Sequence, residues 1–473
     1  MTPEEFRALA HHLVDWMADY MAGVERYPVR AQVAPGAVLG ALPQSPPAQP
    51  EPMAAVFADF ERIIMPGMTH WQHPAFFAYF PANSSPPSVL AEMLTATLGA
   101  QCMSWQTSPA ATELEQRMMA WLGQMIGLPA AFEGVIQDSA SSASLCAILC
   151  ARERASGFAS NRLGLQEQPR FTIYASSEAH SSIEKDVGVA GLGRDNLRKV
   201  AVDRSHALDP AALDQAITAD RAQGRAPIMV VAAIGSTGSS AIDPLKPIAD
   251  ICRRHGLWLH VDAAWAGSAL ILPEYRWMIE GIDQVDSFVF NPHKWLFTNF
   301  DCSAYFVRDS ELLQRTLSIL PEYLRTAEGA GVRNYRDWSV PLGRRFRALK
   351  LWFVIRSYGV DGLKAMIAEH IALAHKLAAA IDAAADFELL AATPLALVCF
   401  RHHPPGLDDE AALDQLNQTL LDRINDSGRA FLTHTRLDGR LTLRMAIGQT
   451  WTRARHVEDC WRLIQDCARG AAD

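Results

Sequence analysis

Lys294 is the residue of this sequence whose surroundings most need a chemical explanation. It lies in FVFNPHKWLF, residues 288–297, between two apolar blocks. Lysine is rarely buried without a partner, because taking an ammonium group out of water costs several kcal/mol. A lysine in such a stretch therefore suggests a chemical role, and the polar residues elsewhere in the sequence indicate which role that is.

Several polar side chains follow other apolar runs of the chain. Asp262 ends the run LWLHVD, where a carboxylate without a cationic partner would be costly. The small residues Ala263 and Ala264 come next and would let a flat ring lie against the backbone. The ends of the remaining runs and the residues beside Lys294 supply Ala140, Ser141, His180, Thr237, Asn291 and His293. Ligands gather at the carboxyl ends of parallel strands, so we expect these residues to converge on one crevice.

This set of residues matches the requirements of pyridoxal 5′-phosphate. That cofactor needs an amine, a carboxylate at its ring nitrogen, a flat group over the ring and donors for its phosphate. Lys294, Asp262 and His180 supply the first three in turn. The N–H groups of Ala140 and Ser141, which open a helical run, suit a dianionic phosphate. Each residue alone also has an ordinary structural explanation, such as a helix cap at Ser141, and the prediction depends on their combination.

The bulk composition excludes several other kinds of ligand. The formal net charge is -9 and the pI is near 5.9, which gives no electrostatic footprint for nucleic acid. No apolar run reaches the roughly 20 residues of a membrane helix. The glycines of GVAGLG are in the wrong order for a dinucleotide loop, and no phosphate-binding G-x-x-x-x-G-K-[ST] occurs. We expect a small ligand, no nucleic acid and no membrane.

Cysteine and histidine spacing predicts neither a disulfide framework nor a metal site. The eight cysteines form no C-x-x-C pair, and no H-E-x-x-H motif occurs. A reduced, cytoplasmic protein fits this pattern best, with Cys146 and Cys150 as buried small residues. We therefore predict no bound metal.

Alternating patterns predict an α/β chain with a mainly parallel central sheet and a small C-terminal α+β domain. The runs FTIYAS, KVAVD, IMVVAAIG, LWLHVDAA and DSFVF alternate with helical stretches. Thr2 and Glu5 should cap an N-terminal helix with one apolar stripe from Phe6 to Tyr20. The prolines of VAPGAVLGALPQSPPAQPEP should prevent a regular helix in that segment. The predicted units are an N-terminal helical segment 1–85, a large domain 86–360 and a small domain 361–473.

The order of several longer segments carries a resemblance to a known family. The segments are THWQHPAFFAYFP, SWQTSPAATELE, GVIQDSASSAS, AHSSIEK, WLHVDAAWAGSA, NPHKWLFTNFDCSA and PLGRRFRALKLWFV. Over nearly its whole length the chain resembles the group II pyridoxal-phosphate-dependent decarboxylases, especially the aromatic-L-amino-acid decarboxylases. The resemblance implies a fold-type I, aspartate-aminotransferase-like subunit that works as a homodimer. It also implies cofactor contacts at Ala140, Ser141, His180, Thr237, Asp262, Asn291 and Lys294.

The resemblance further implies decarboxylation of aromatic L-amino acids to arylalkylamines and CO₂. It also implies which residues surround the substrate. Tyr323, in SILPEYLRTAEGAGVRNYRDW, corresponds to a loop tyrosine that protonates the α-carbon after decarboxylation. Gly343 matches a position where similar enzymes carry glycine for bulky indoles. Ala82 stands where many relatives have a hydroxyl residue near the substrate. Met103 stands where the animal enzymes have an aromatic ring that is contributed across the dimer. Trp265 stands where tyrosine is frequent. The substrate pocket predicted from the family consists of Trp71, Tyr79, Phe80, Pro81, Ala82, Met103 and Gly343.

Several alternatives remain open at this level. A glutamate or histidine decarboxylase would use the same cofactor, but the aromatic segment HWQHPAFFAYFP argues against a glutamate pocket. An aromatic aldehyde synthase is expected to carry phenylalanine at position 323, where this chain has tyrosine. A catalytically silent relative is expected to have lost Lys294, Asp262 or Tyr323, and the sequence keeps all three. The choice among tryptophan, 5-hydroxytryptophan, dopa, tyrosine and phenylalanine stays open.

Overall fold

The fold is given by a computed structural model that describes residues 1–319 and 331–470. Its larger sheet has seven strands in the order β1-β7-β6-β5-β4-β2-β3. The strands are β1 Glu133–Gln137, β2 Phe171–Ser176, β3 Leu197–Val200, β4 Ala226–Ala233, β5 Trp258–Asp262, β6 Ser287–Phe290 and β7 Ser303–Val307. Strands β3, β2, β4, β5 and β6 are parallel, and β7 runs antiparallel to both β6 and β1. The mainly parallel sheet predicted from the sequence is confirmed.

Helices cover both faces of this sheet. In the first half of the chain they are α1 Pro3–Gly23, α2 Ala37–Ala41, α3 Met53–Asp59, α4 Pro86–Leu98, α5 Pro109–Ile126, α6 Ala140–Ser156, α7 Ser160–Leu163, α8 Ser181–Val189 and α9 Pro210–Ala222. The second half adds α10 Leu245–His255, α11 Pro292–Trp295, α12 Ser310–Leu317, α13 Arg347–Asp382, α14 Glu410–Asp426 and α15 Ala454–Ala468.

Burial on both faces explains why the strands of the large sheet are apolar throughout. All six residues of β2 are buried, and so are the last six of β4. Helices α6, α8 and α12 pack in the core on one face, and α5, α9, α10 and α13 pack in the core on the other. Cys146 and Cys150 of α6 are fully buried without a disulfide, which confirms their expected structural role.

The C-terminal part contains the predicted smaller α+β unit. Its sheet has the antiparallel order β10-β11-β9-β8, formed by β8 Phe387–Leu389, β9 Leu397–His402, β10 Thr433–Leu437 and β11 Arg440–Ala446. Helices α14 and α15 pack against each other beside it. Helix α13 runs across the predicted boundary at 360 and has one non-helical residue, Gly359, with a φ of 68°. The three-unit division itself stays a prediction.

The N-terminal helix has the predicted cap but buries little of its apolar stripe. Thr2 Oγ1 accepts from Glu5 N–H at 3.2 Å, and Glu5 Oε2 accepts from Thr2 N–H at 2.7 Å. Phe6 is 59% exposed and Leu13 is 39% exposed. The helix contacts its own chain through Trp16, whose ring meets those of Phe57 and Phe60, and through Tyr20, whose hydroxyl lies 2.8 Å from His70 Nδ1. Part of the stripe therefore has no cover within residues 1–319 and 331–470.

One expectation for the proline-rich segment was wrong. Helix α2 forms between Pro35 and Pro43, because the seven residues that separate these prolines are enough for one helical turn. Gly36 precedes the helix with a φ of 86°, which glycine adopts without strain. The rest of the segment up to Pro52 has no helix.

Within residues 1–319 and 331–470, no helix combines the length and apolar character needed to cross a bilayer.

Candidate cofactor and substrate site

A cavity of about 200 Å³ lies at the carboxyl edge of the large sheet. The residues that follow β1, β2, β4, β5 and β6 line it, because parallel strands end on the same edge. All nine residues predicted to contact a cofactor surround this cavity: Ala140, Ser141, His180, Thr237, Asp262, Ala264, Asn291, His293 and Lys294. Their convergence follows from strand order, and their individual roles stay predictions.

Lys294 lies in the short helix α11, directly after β6. Its N–H donates to Asn291 O at 2.9 Å, so a tight turn presents the side chain to the cavity. The Nζ atom lies 5.7 Å from the centroid of the Phe80 ring and has no hydrogen bond or ion pair in the part of the chain that the structure describes. Burial lowers the pKa of Lys294, nearby Asp262 opposes that shift, and Arg444 adds to it. The amine is thus easier to deprotonate than an ordinary lysine.

Asp262 ends β5 on the same edge. Its Oδ1 accepts from Ala264 N–H at 3.0 Å, which fixes the carboxylate against the turn after the strand. Oδ2 has no hydrogen-bond partner among residues 1–319 and 331–470, although the side chain is only partly exposed. A carboxylate held in this way is available to a cationic group of a ligand.

The start of helix α6 forms a cradle for an anion. Ser139 caps this 17-residue helix, and its Oγ accepts from Ser142 N–H at 3.2 Å. The N–H groups of Ala140 and Ser141 have no acceptor within the described residues, and both residues line the cavity. Unpaired N–H groups and the helix dipole together favour a phosphate at this place.

His180 and His293 border the cavity as neutral rings. His180 Nδ1 accepts from Ser182 N–H at 3.2 Å, and burial lowers its pKa while Asp262 opposes the shift. His293 Nδ1 accepts from Cys302 N–H at 2.9 Å, and burial, helped by Lys294, lowers its pKa to about 3. Each neutral ring therefore carries its proton on Nε2. An uncharged His180 ring can lie flat against an aromatic ligand.

The predicted substrate residues divide into two groups. Phe80 is 7% exposed and lines the cavity. Trp71 and Tyr79 stack on each other at 5.8 Å and are 37% and 50% exposed. Pro81, Ala82, Met103 and Gly343 are, like Trp71 and Tyr79, not among the described residues that line the cavity of their own chain. The substrate contacts of all seven stay predictions.

Aromatic stacking behind the cavity was only partly foreseen from the sequence. Trp265 stacks on Phe80 at 4.3 Å and on Trp295 at 4.0 Å, with interplanar angles of 8° and 7°. Phe300, which the sequence did not single out, lines the cavity, is 62% exposed and lies 4.7 Å from the His293 ring. Its place six residues after the lysine, in NFDCSA, was the available signal. Ser182 also lines the cavity and was not predicted.

Tyr323, the predicted proton donor, lies outside the described residues. Its position relative to the cavity stays a prediction.

The residues present fit pyridoxal 5′-phosphate. The cavity joins an amine with a lowered pKa and a neutral imidazole to one carboxylate oxygen and two helix-start N–H groups that have no partner among the described residues. These are the groups that hold the aldehyde carbon, the ring nitrogen, the phosphate and the ring face of this cofactor.

Comparison with known proteins gives an independent view of the same chain. Residues 35–403 match the model described as the pyridoxal-dependent decarboxylase conserved domain. Tryptophan decarboxylase 2 of Oryza sativa subsp. japonica is 42% identical over 98% of this chain and 95% of its own length. Phenylacetaldehyde synthase of Arabidopsis thaliana is 42% identical over 98% of this chain and 96% of its own. The crystal structure of Oryza sativa TDC with PLP and tryptamine superimposes with a TM-score of 0.96 at 36% identity, covering 100% of this chain and 99% of that one.

Removing the Asp262 carboxylate should lower the pKa of Lys294 further, because the ionised carboxylate favours the charged amine. In cofactor-free Asp262→Asn protein, acetylation of Lys294 by acetic anhydride should reach its half-maximal rate at a lower pH than in the parent. Peptide mass spectrometry measures this rate, with Lys246 on α10 as the internal reference. An unchanged or higher midpoint would show that the carboxylate does not act on the amine.

Proposed function

The chain belongs to the pyridoxal-dependent decarboxylase family, and from this premise we propose that it removes the α-carboxylate of aromatic L-amino acids to give arylalkylamines and CO₂. The membership makes it a carboxy-lyase that depends on pyridoxal 5′-phosphate. The observation that carries the substrate class is a cavity that joins Lys294 and Asp262 to the flat rings of Phe80 and Trp265. Such rings favour a planar aromatic side chain over a carboxylate.

Bound pyridoxal 5′-phosphate supplies an electron-withdrawing ring that stabilises negative charge at the α-carbon. In our proposal, Lys294 would hold the cofactor through its amine, which the amino group of the substrate would replace. The lowered pKa of Lys294 would favour attachment of the cofactor, because only the neutral amine is a nucleophile. The buried position of the amine also keeps bulk water away from it.

Asp262 would keep a proton on the ring nitrogen of the cofactor. Its Oδ2, which has no hydrogen bond within the described residues, would accept that N–H while Oδ1 stays bonded to Ala264 N–H. Without the carboxylate, the ring would lose its positive charge and with it most of its ability to withdraw electrons. We therefore propose that Asp262 keeps the cofactor ring positively charged and so able to withdraw electrons.

The remaining contacts orient the cofactor and the substrate. The N–H groups of Ala140 and Ser141 would hold the phosphate, and Thr237, Asn291 and His293 line the cavity as well. The neutral His180 ring would pack on one face of the cofactor, and Ala264 would let the other face approach the backbone. Residues placed in this way would orient the substrate so that the bond to its carboxylate can break.

Decarboxylase and aldehyde synthase activities compete as functions for this site. The chain is as similar to a phenylacetaldehyde synthase as to a tryptophan decarboxylase, at 42% identity to each. We favour amine formation because the chain keeps a tyrosine at 323, whose hydroxyl can deliver a proton to the α-carbon after CO₂ has left. A proton delivered there gives an amine as the product.

Turnover of a panel of substrates tests the proposed function directly. We expect the purified protein with pyridoxal 5′-phosphate to release CO₂ and an arylalkylamine from at least one of tryptophan, 5-hydroxytryptophan, dopa, tyrosine and phenylalanine. Lys294→Ala should abolish turnover, since no other amine lines the cavity within the described residues. Product identification by mass spectrometry is the measurement. Turnover of glutamate or histidine alone would contradict the aromatic assignment.

Replacement of the proposed proton donor should change the product without preventing the substrate from binding. In Tyr323→Phe protein we expect the amine yield to fall and the aldehyde, with ammonia and hydrogen peroxide, to rise in the presence of O₂, because the α-carbon is no longer protonated promptly. Tyr275→Phe, at a tyrosine outside the cavity, is the matched control. An unchanged amine yield would show that Tyr323 is not the donor.

We further propose that two copies of the chain form a homodimer. Helix α4 leaves Leu90, Leu94 and Leu98 exposed at 55%, 48% and 64%, a stripe with four-residue spacing. Phe300 at the cavity and part of the apolar stripe of α1 are also exposed, and a second copy of the chain could bury them. Met103 lies away from the cavity of its own chain, which suits the contribution across a dimer that the resemblance implies.

The dimer should appear as a mass of twice 52.0 kDa, about 104 kDa, in sedimentation equilibrium. Leu94→Arg should shift the population toward monomer, because a charge would be buried without a partner. Leu163→Arg places the same charge on an exposed residue of α7 and serves as the control. A parent protein that stays at 52.0 kDa would contradict the proposed dimer.

We propose a cytoplasmic location on the basis of cysteine chemistry. All eight cysteines are buried as free thiols, which fits a reducing compartment. A disulfide in protein isolated from its own cells without reductant would contradict this location.

A further inference from the structure

Asn83 is a buried amide next to Lys294, and its backbone N–H, Nδ2 and Oδ1 each have a hydrogen-bond partner. It is 2% exposed, and it precedes α4 in the segment that also carries Phe80. Its backbone N–H donates to His293 O at 2.8 Å, and its Nδ2 donates to Lys294 O. One residue thus binds two successive carbonyl groups of the turn that presents Lys294.

The same segment contacts Lys294 both at its backbone and near the tip of its side chain. Asn83 holds the peptide group of the lysine, while the Phe80 ring lies 5.7 Å from its Nζ. Phe80 is in turn fixed by its stack on Trp265. The Phe80 ring limits the space open to Nζ, so fixing the backbone of Lys294 reduces the number of directions in which its side chain can point.

The amide also reaches a third part of the chain. Asn83 Nδ2 donates to Gly448 O at 2.7 Å, and its Oδ1 accepts from Thr450 N–H and from Thr450 Oγ1, each at 2.7 Å. Thr450 Oγ1 also lies 2.8 Å from Ser84 O. Gly448 and Thr450 follow β11, so the amide joins the lysine turn to the chain that leaves the C-terminal sheet.

We propose that Asn83 is the positioning residue of Lys294, and that it couples the orientation of the lysine to the Gly448–Thr450 segment. The inference rests on the proposed function, in which Lys294 holds the cofactor. Asn83 acts through the peptide of Lys294 and does not line the cavity, among the residues that the structure describes. Its role is therefore to fix where the amine points.

The chemistry of the amide explains why few other side chains could do this. Two carbonyl oxygens need donors, and a backbone N–H with a hydroxyl needs an acceptor, so the site requires both halves of an amide. An aspartate has the same shape but would turn a carboxylate oxygen toward two carbonyl oxygens. It must lose at least one of these bonds, and each buried carbonyl left unpaired favours a shift of its segment.

The pKa of Lys294 depends on the charged and titratable groups around it. Asp262 on β5 favours the charged amine, and Arg444 on β11 disfavours it. His180 at the start of α8 and His293 beside the lysine are both neutral because burial lowers their pKa values. A less constrained lysine would gain water, so its titration should move back toward that of an ordinary lysine.

Two variants and one matched control test the proposal. Asn83→Asp removes donors and keeps the shape, but its new carboxylate by itself favours the charged Lys294 amine. Thr450→Val removes a hydroxyl that touches Asn83 but not the lysine, adds no charge, and is therefore the deciding variant. Asn417→Asp is the control, because Asn417 on α14 is also fully buried and bonds His402 N and O at 2.8 Å, far along the chain from the cavity residues. Each holoenzyme is compared for kcat, KM, melting temperature and the pH midpoint of the cofactor's visible absorbance.

Cofactor-free protein provides a measurement that needs no turnover. In Asn83→Asp, the pH midpoint for acetylation of Lys294 by acetic anhydride should rise. In the holoenzyme, kcat should fall by about 10²-fold with KM changed by less than about threefold, as expected when a reacting group is misplaced by about 1 Å. Thr450→Val should shift both quantities in the same direction by a smaller amount. Asn417→Asp should lower the melting temperature and leave both midpoints and kcat unchanged.

The outcomes separate this proposal from the proposed function. If Asn83→Asp and Thr450→Val lower only the melting temperature, as Asn417→Asp does, Asn83 is a structural residue and the proposal is overturned. An unchanged acetylation midpoint and kcat in Thr450→Val overturn it as well, whether or not Asn83→Asp folds and shifts. A parent protein without cofactor absorbance would refute the proposed function, whereas the acetylation midpoints would still report on the contact between Asn83 and Lys294.

Discussion

The placement of one amine and one carboxylate in the same buried cavity is the constraint on which the rest of the structure depends. Taken alone, Lys294 and Asp262 would each be costly to remove from water. The protein leaves the Nζ of one and the Oδ2 of the other without hydrogen bonds in the described chain, and burial lowers the pKa of the lysine. Such an arrangement is unfavourable for stability, and it is favourable for binding a group that supplies both missing partners.

The fold supports this pair by the ordinary rules of a parallel sheet. Strands β5 and β6 are neighbours, so the residues after them meet at one edge, and α6 starts at the same edge with its free N–H groups. Because the strands are buried on both faces by helices, the edge itself is the place where polar groups can gather. Phe80 and Trp265 then give the cavity an apolar wall, and Trp295 stacks behind Trp265.

The sequence was a good guide to the cofactor site and a weaker guide to its supports. Residues that follow apolar runs could be assigned to one edge, so His180, Asp262 and Lys294 were predicted together. Asn83 could not be, because its partners Lys294 and Thr450 lie more than 200 residues away along the chain and no periodicity links them. Helix α2 was missed for a different reason, since a single turn between two prolines leaves no pattern to detect. Tyr323 lies outside the described residues, and contacts across the proposed dimer would involve a second copy of the chain.

Chemical trapping of the cofactor tests the central claim most directly. The protein loaded with pyridoxal 5′-phosphate is reduced with borohydride, digested, and mapped by mass spectrometry. We predict one modified peptide, carrying the reduced cofactor on Lys294, together with loss of the visible absorbance. In Asp262→Ala protein the cofactor should still be trapped on Lys294 but should no longer support turnover, because its ring nitrogen has lost the acceptor. A cofactor found on another lysine, or full turnover without Asp262, would contradict the account.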